Sequence, residues 1–308
     1  MKPYVPAGVL PASVLPLNAD QSVDEGALGE LLTWLVGHDG VTAVVVNAVA
    51  GEGNLLTPSE AARVVDVAVE AVGDRVAVIA GVAGERPADA RSLAADLLGR
   101  GATAGLAQAP NLFSRGIAAQ PDVAVRYFTE VAEAGLPLII FQHQAVTGRW
   151  YPPSLLASLL AIDGVVGVKE TSWDVARYER TVRTVQASGG GAAVLCANDD
   201  LLLPCLSIAP IDGVLLGLCS LIPDLVSDLF ASTQRGDLDA ARALAARMAP
   251  LVETIYAEPS LRYYARLKAA CRLRGLPVAE TLRAPQIEVT QQERLALRTG
   301  LDQAGVLA

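Results

Sequence analysis

Residues 136–170 read LPLIIFQHQAVTGRWYPPSLLASLLAIDGVVGVKE. Two continuous apolar runs, 136–142 and 164–170, enclose a helix-like stretch that begins at Pro152-Pro153. Unbroken rather than alternating hydrophobicity belongs to parallel strands covered on both faces, so the segment reads as a strand–helix–strand unit. Working outward, the same kind of run recurs at 6–10 (PAGVL), 42–47 (TAVVVN), 76–81 (VAVIAG), 102–108 (ATAGLAQ), 192–198 (AAVLCAN) and 213–219 (GVLLGLC). Eight such units predict a (β/α)8 barrel. A doubly wound sheet uses the same alternation, but it rarely needs eight strands, and no GxGxxG follows the first one.

The connections carry helix-start chemistry. Ser22 with Glu25 and Thr57 with Glu60 both fit a capping box, the second with Pro58 at the first helical position. Pro87, Pro121, Pro152-Pro153 and Pro223 stand where later helices should begin, and Gly37, Gly73, Gly101 and Gly135 where helices should end. After Gln234-Arg235-Gly236-Asp237 the alternation stops, and residues 237–257, 259–275 and 290–305 read as helices. The predicted fold is therefore an α/β chain, a TIM barrel over residues 1–235 with a C-terminal three-helix appendage over 236–308.

The 308 residues are 52% hydrophobic and 19% charged, which suits a large core and rules out disorder. With 33 acidic against 24 basic residues the formal charge is −9, and no basic stripe is present, so nucleic acid is not an expected partner. Cys196, Cys205, Cys219 and Cys271 form no CxxC pair and read as buried thiols in a reducing compartment. The N-terminal apolar stretch is broken by prolines, and no run reaches the roughly 18 apolar residues of a membrane span. A cytoplasmic protein without a membrane partner is expected. Only three of the 24 basic residues are lysines, Lys2, Lys169 and Lys268. Arginine bias of this kind can be a codon effect, which for Lys2 and Lys268 is explanation enough.

In such barrels, function sits at the C-terminal strand ends and in the loops that follow. Those positions hold Asn47, Glu52, Gln108, Gln142, His143, Lys169, Glu170, Asn198, Asp199, Asp200, Cys219 and Ser220. Lys169 ends an apolar strand, where desolvation lowers an ammonium pKa and populates the free amine that attacks carbonyls. The plainer alternative is an ion pair with Glu52 or Asp199. His143 follows Phe141 by two residues, on the same side of a continuing strand; it either shuttles a proton or is a loop histidine with one hydrogen bond. A metal site has no ligand spacing to support it, and Asp199-Asp200 read as caps of the next helix. Arg149 with Trp150-Tyr151 either binds a carboxylate or lies on the surface.

Together these positions resemble the dihydrodipicolinate synthase/N-acetylneuraminate lyase family, (β/α)8 Schiff-base aldolases and dehydratases acting on pyruvate and related 2-keto acids. Ala50-Gly51-Glu52 with Leu56-Thr57 sits at the family's Gly-Thr-Thr-Gly-Glu loop, and Val78-Ile79-Ala80-Gly81 at its third strand. Thr147-Gly148 matches its Thr-Gly ending, and Gly167-Val168-Lys169-Glu170-Thr171 resembles its lysine motif. Asn198-Asp199-Asp200, Asp212-Gly213-Val214 and Glu258-Pro259 fall at later motif positions. The resemblance implies that Lys169 is the Schiff-base nucleophile, that the imine is the electron sink with no metal or organic cofactor, and that the chain forms a homotetramer, a dimer of dimers, or a homodimer.

The departures are pointed. The family's proton-carrying tyrosine is Phe141 here, its assisting threonine is Val49, and its cross-subunit tyrosine is Leu112. The second threonine of its glycine loop is Ala50, and the arginine before Thr-Gly is Val146. A phenylalanine carries no proton, so the usual dihydrodipicolinate synthase chemistry is not expected. Two readings follow. In one, a Schiff-base lyase uses Lys169, with His143 for proton transfer and a less polar substrate; Val49, Ala50, Gly51, Glu52, Phe141 and Gln142 shape the keto-acid end, and Gln108, Asn198 and Ser220 line the substrate tail. In the other, the barrel has lost turnover and binds a small keto acid or carboxylate as a regulatory or structural protein.

Overall fold

A computed structural model describes residues 4–307, apart from the Ala145 side chain; Lys2 lies outside the described residues. The eight apolar runs form eight parallel strands: β1 (Gly8–Pro11), β2 (Ala43–Val46), β3 (Ala77–Val82), β4 (Ala104–Ala107), β5 (Leu138–Gln142), β6 (Val165–Glu170), β7 (Ala193–Cys196) and β8 (Gly213–Leu216). Each pairs with its chain neighbour from β2 to β8, and β8 returns to β1. Parallel bridges Val9–Val41 and Ala12–Val45 close the remaining seam. The strands are buried almost throughout because helices cover them outside and side chains fill the interior.

Between the strands run α1 (Glu25–Leu35), α2 (Pro58–Val72), α3 (Pro87–Gly99), α4 (Pro121–Ala132), α5 (Pro153–Leu160), α6 (Val175–Ser188), α7 (Leu202–Ile208) and α8 (Pro223–Gln234). Proline opens α2, α3, α4, α5 and α8, as its fixed φ and missing N–H favour. The Thr57–Glu60 capping box forms. The expected Ser22–Glu25 box does not: Asp24 caps α1 by accepting from Ala27 N at 3.0 Å, while the Ser22 hydroxyl donates to Asp20 Oδ1 at 2.6 Å. A carboxylate at the cap also meets the positive end of the helix, which a serine does not.

One irregularity positions the chemistry. The β5–β6 register shifts by a residue between Leu138 and Ile139, and only beyond that shift does Phe141 stand opposite Lys169 and Gln142 opposite Glu170. Because strand side chains alternate, Phe141 and Lys169 share one face and Gln142 and Glu170 the other.

The appendage is α9 (Leu238–Ile255), α10 (Tyr263–Leu273) and α11 (Gln291–Gln303). Its buried Leu251, Leu267 and Leu301 belong to the same continuous core as the barrel. Three ion pairs bind it to the barrel, one of them Arg274 to Asp224 at 3.1 Å. Arg283 reaches Glu60 at 2.5 Å. Lys268 Nζ lies 2.5 Å from Glu52 Oε1, with both side chains 1% exposed. Lys268 is therefore no codon accident: a buried ammonium needs that carboxylate, and it also donates to Thr281 O at 3.0 Å. The four cysteines are free and buried. Among the described residues no helix is long and apolar enough to cross a membrane.

Candidate active site

The C-terminal strand ends open into a cavity of about 600 Å³. Lys169 rises into it from the end of β6 and is 6% exposed. Gly167, two residues earlier, permits the close approach of β7: a Cβ there would sit 2.9 Å from Ala193 O. Among the described residues Lys169 Nζ has neither an ion-pair partner nor a hydrogen bond, and it rests 4.3 Å from the Phe141 ring centroid. Burial pulls its pKa down to about 8, with the Asp199 charge pulling the other way. A cation over a ring face keeps some stabilisation, so the amine is lowered but not abolished as a base. Of the two expected partners, Glu52 is taken by Lys268, and Asp199 stands near without ion-pair contact.

His143 lies on the Phe141 side, as strand alternation requires, with the rings stacked at 3.9 Å between centroids. Burial first, then the Arg149 and Lys169 charges, push its pKa down to about 3. Its Nε2 is buried without a hydrogen-bond partner. The imidazole is therefore neutral at working pH and a weak base, suited to hydrogen bonding more than to holding a proton.

Val49 and Ala50 line the cavity where the resemblance placed hydroxyls. Gly51 lies in the tight turn behind Ala50: its Cβ would meet Ser13 O at 2.9 Å, and the turn closes through Glu52 N to Val49 O and Gly53 N to Ala48 O. The Glu52 amide is thus occupied, whereas the Ala50 and Gly51 amides carry no hydrogen bond among the described residues.

Five expected site residues turn away from the cavity. The Glu52 carboxylate leaves it from a left-handed backbone (φ 54°) toward Lys268 and Gln286. Gln142 faces the helices, its carboxamide 2.6 Å from Thr181 Oγ1. Asn198 accepts from Trp173 N at 2.7 Å and donates to Glu170 Oε2 at 2.7 Å, bracing the loop after Lys169. Ser220 donates to Ala12 O at 2.5 Å, tying the end of β8 to β1. Gln108 borders a different cavity of about 620 Å³, beside Asn47, Asp89 and Asp96. For Gln142 and Asn198 the cause is parity: at a strand end one residue's difference exchanges the inner for the outer face. Ala197 and Asp199 therefore reach the cavity while Asn198 does not, as Lys169 and Thr171 do while Glu170 does not.

Asp199 caps no helix. Its Oδ1 accepts from Leu218 N at 3.1 Å, across at the end of β8. Burial pushes its pKa up to about 6 against the pull of Lys169, the Leu218 amide and Tyr256. Arg149 is absent from the cavity wall, and Trp150 instead stacks on Arg177, 4.6 Å from its guanidinium.

The rest of the wall comes from the appendage. Tyr256 at the end of α9 and Tyr263 and Tyr264 at the start of α10 line the cavity; Tyr256 packs edge-on to Trp173, and the Tyr256 and Tyr263 ring centroids are 5.3 Å apart. Gly217 leaves room for the Tyr263 hydroxyl: a Cβ there would lie 2.0 Å from Oη, so one of the two would have to shift. The Tyr256 hydroxyl is buried and lacks a hydrogen bond of normal geometry, as does Thr171 Oγ1. These tyrosines escaped the sequence reading, although three of the chain's seven fall within residues 256–264, around Glu258-Pro259.

The profile of the Dihydrodipicolinate synthetase family matches residues 5–304. An uncharacterised DapA-like lyase of Halobacterium salinarum is 31% identical over 301 residues, covering 97% of this chain and 94% of that protein. The 4-hydroxy-tetrahydrodipicolinate synthase of Acidiphilium cryptum is 30% identical over 285 residues, covering 90% and 94%. The crystal structure of dihydrodipicolinate synthase from Aquifex aeolicus superposes with a TM-score of 0.87 at 25% identity, covering 98% of this chain and 99% of that one.

Proposed function

Because the chain belongs to the Dihydrodipicolinate synthetase family, whose members are lyases of the class I aldolase type, we propose that it forms a Schiff base between Lys169 and pyruvate or another 2-keto acid. It then makes or breaks a C–C bond, or eliminates water, beside the imine. The observation that carries this reading is the buried, unpaired Lys169 amine at the floor of the cavity. The Lys169 amine adds to the keto carbon and loses water, and the resulting iminium draws electrons from the adjacent carbon without help from a cofactor.

The free amides of Ala50 and Gly51 hold the keto-acid carboxylate, doing by backbone what needs no hydroxyl. Neutral His143 hydrogen-bonds to the bound intermediate through Nε2. A specificity other than that of the relatives named 4-hydroxy-tetrahydrodipicolinate synthase follows from Phe141, Val49 and Val146 in place of tyrosine, threonine and arginine. The aromatic wall and Val146 favour a less polar second substrate or product.

Borohydride trapping with pyruvate and a panel of 2-keto acids, read by intact mass, tests the proposal. An adduct is expected with the native chain and none with Lys169→Ala. Trapping at fixed keto acid should rise with pH through about 8, since the neutral amine is the reactive form and its pKa is lowered, not raised. Tight keto-acid binding without any adduct would instead establish the regulatory or structural reading.

A further inference from the structure

The cavity holds one unclaimed group suited to moving a proton. We propose that Asp199, held by the Leu218 amide and backed by tyrosines of the C-terminal appendage, is the acid/base residue that takes and returns the proton on the carbon next to the Lys169 imine. The inference rests on the Schiff-base reading above and assigns the proton step that Phe141 cannot perform.

Placement comes first. Ala197 continues β7 by donating to Glu170 O at 2.8 Å, so the end of β7 runs beside the end of β6. Two residues on, Asp199 faces the same cavity as Lys169. One carboxylate oxygen is fixed by Leu218 N, which holds the group at the rim of β8 instead of letting it fold onto the ammonium.

The other titratable groups of the cavity are less suited. His143 is too weakly basic. Burial raises the phenols of Tyr256, Tyr263 and Tyr264, so they keep their protons. Glu258 is exposed at the rim and accepts from Ser260 N at 2.9 Å. Asp199 is faced by Lys169 from β6, Cys219 from beyond β8, Tyr256 from α9, Tyr263 from α10, and its neighbour Asp200. Lys169 and Tyr256 favour its carboxylate; burial and Asp200 oppose it. A carboxyl balanced near neutrality is both a usable base and a usable acid.

The step balances. In the iminium, the Asp199 carboxylate takes a proton from the carbon adjacent to C2. That C–H pair becomes the C2=C3 bond, and the C=N π pair moves to nitrogen. The products are a neutral enamine and a protonated Asp199. The reverse transfer regenerates iminium and carboxylate. Tyr256, as a positioning residue, turns its otherwise unpartnered hydroxyl to the carboxylate.

Deuterium exchange into the methyl of pyruvate and the methylene of 2-oxobutanoate in D2O, followed by NMR, tests this without a second substrate. Borohydride trapping is run in parallel on the native chain, Asp199→Asn and Tyr256→Phe. Asp199→Asn should still trap the imine yet exchange at least about 100-fold more slowly, the ordinary loss for a general base. Tyr256→Phe should move the acidic inflection of exchange upward, because a donor to the carboxylate is gone; a merely structural tyrosine would leave it in place. Native-rate exchange by Asp199→Asn would overturn the proposal, as would a folded Asp199→Asn chain unable to form the imine. Absence of an imine in the native chain would instead defeat the Schiff-base reading beneath it.

Discussion

Lys169 and Lys268 are both buried lysines near the barrel mouth, and they differ only in their company. Lys268 has a carboxylate 2.5 Å away and stays a structural cation; Lys169 has an aromatic face and an open cavity. Burial lowers both pKa values, but only at Lys268 does a contacting charge oppose it. Gly217 shows the same dependence on a distant neighbour, since its missing Cβ is the space that Tyr263 Oη occupies. Gly217→Ala should destabilise by about 1–3 kcal/mol through overpacking. In a Tyr263→Phe background the cost should fall, because the colliding atom is gone. Denaturant melts of the two single variants and the double variant measure that coupling; strict additivity would mean the tyrosine is not what excludes the methyl.

At the scale of elements, the strands and helices were legible because their signals are local. Continuous apolar runs marked all eight strands, prolines marked helix starts, and the three appendage helices fall within the stretches read as helical. Strand ends were less legible. The register shift at Leu138/Ile139 and the parity beyond each strand arise from pairing, so Asn198 was chosen where its neighbour Asp199 faces the cavity. The join between α10 and the loop after β2 was invisible for the same reason: Glu52 and Lys268 are 216 residues apart (268 − 52). Lys268→Met should leave Glu52 buried and unpaired and destabilise the fold by roughly 3–5 kcal/mol. Replacing both, as Glu52→Gln with Lys268→Met, should recover much of that loss. Urea denaturation checks both outcomes, and a double variant no more stable than the single one would refute the pairing as the cause.

For the whole molecule, surface exposure points outward from the same region. Leu112 is 65% exposed and Val146 90% exposed in the single chain, one following β4 and the other β5. Singly exposed apolar side chains are ordinary; the dimer or tetramer that the family resemblance implies is what we expect to cover these two. Light scattering should therefore find a dimer or tetramer, and Leu112→Glu should shift it toward the single chain without lowering helix content. An unchanged mass would place the contact elsewhere.

Sequence alone determined the barrel, the appendage helices and the strand-end lysine, because each is written in residues a few positions apart. Tertiary structure decided which carboxylate Lys169 faces, which lysine is an ion pair, and that an appendage beyond the barrel closes the site with three tyrosines. Those outcomes depend on strand register and on contacts between segments far apart in the chain, and neither leaves a periodic trace in it.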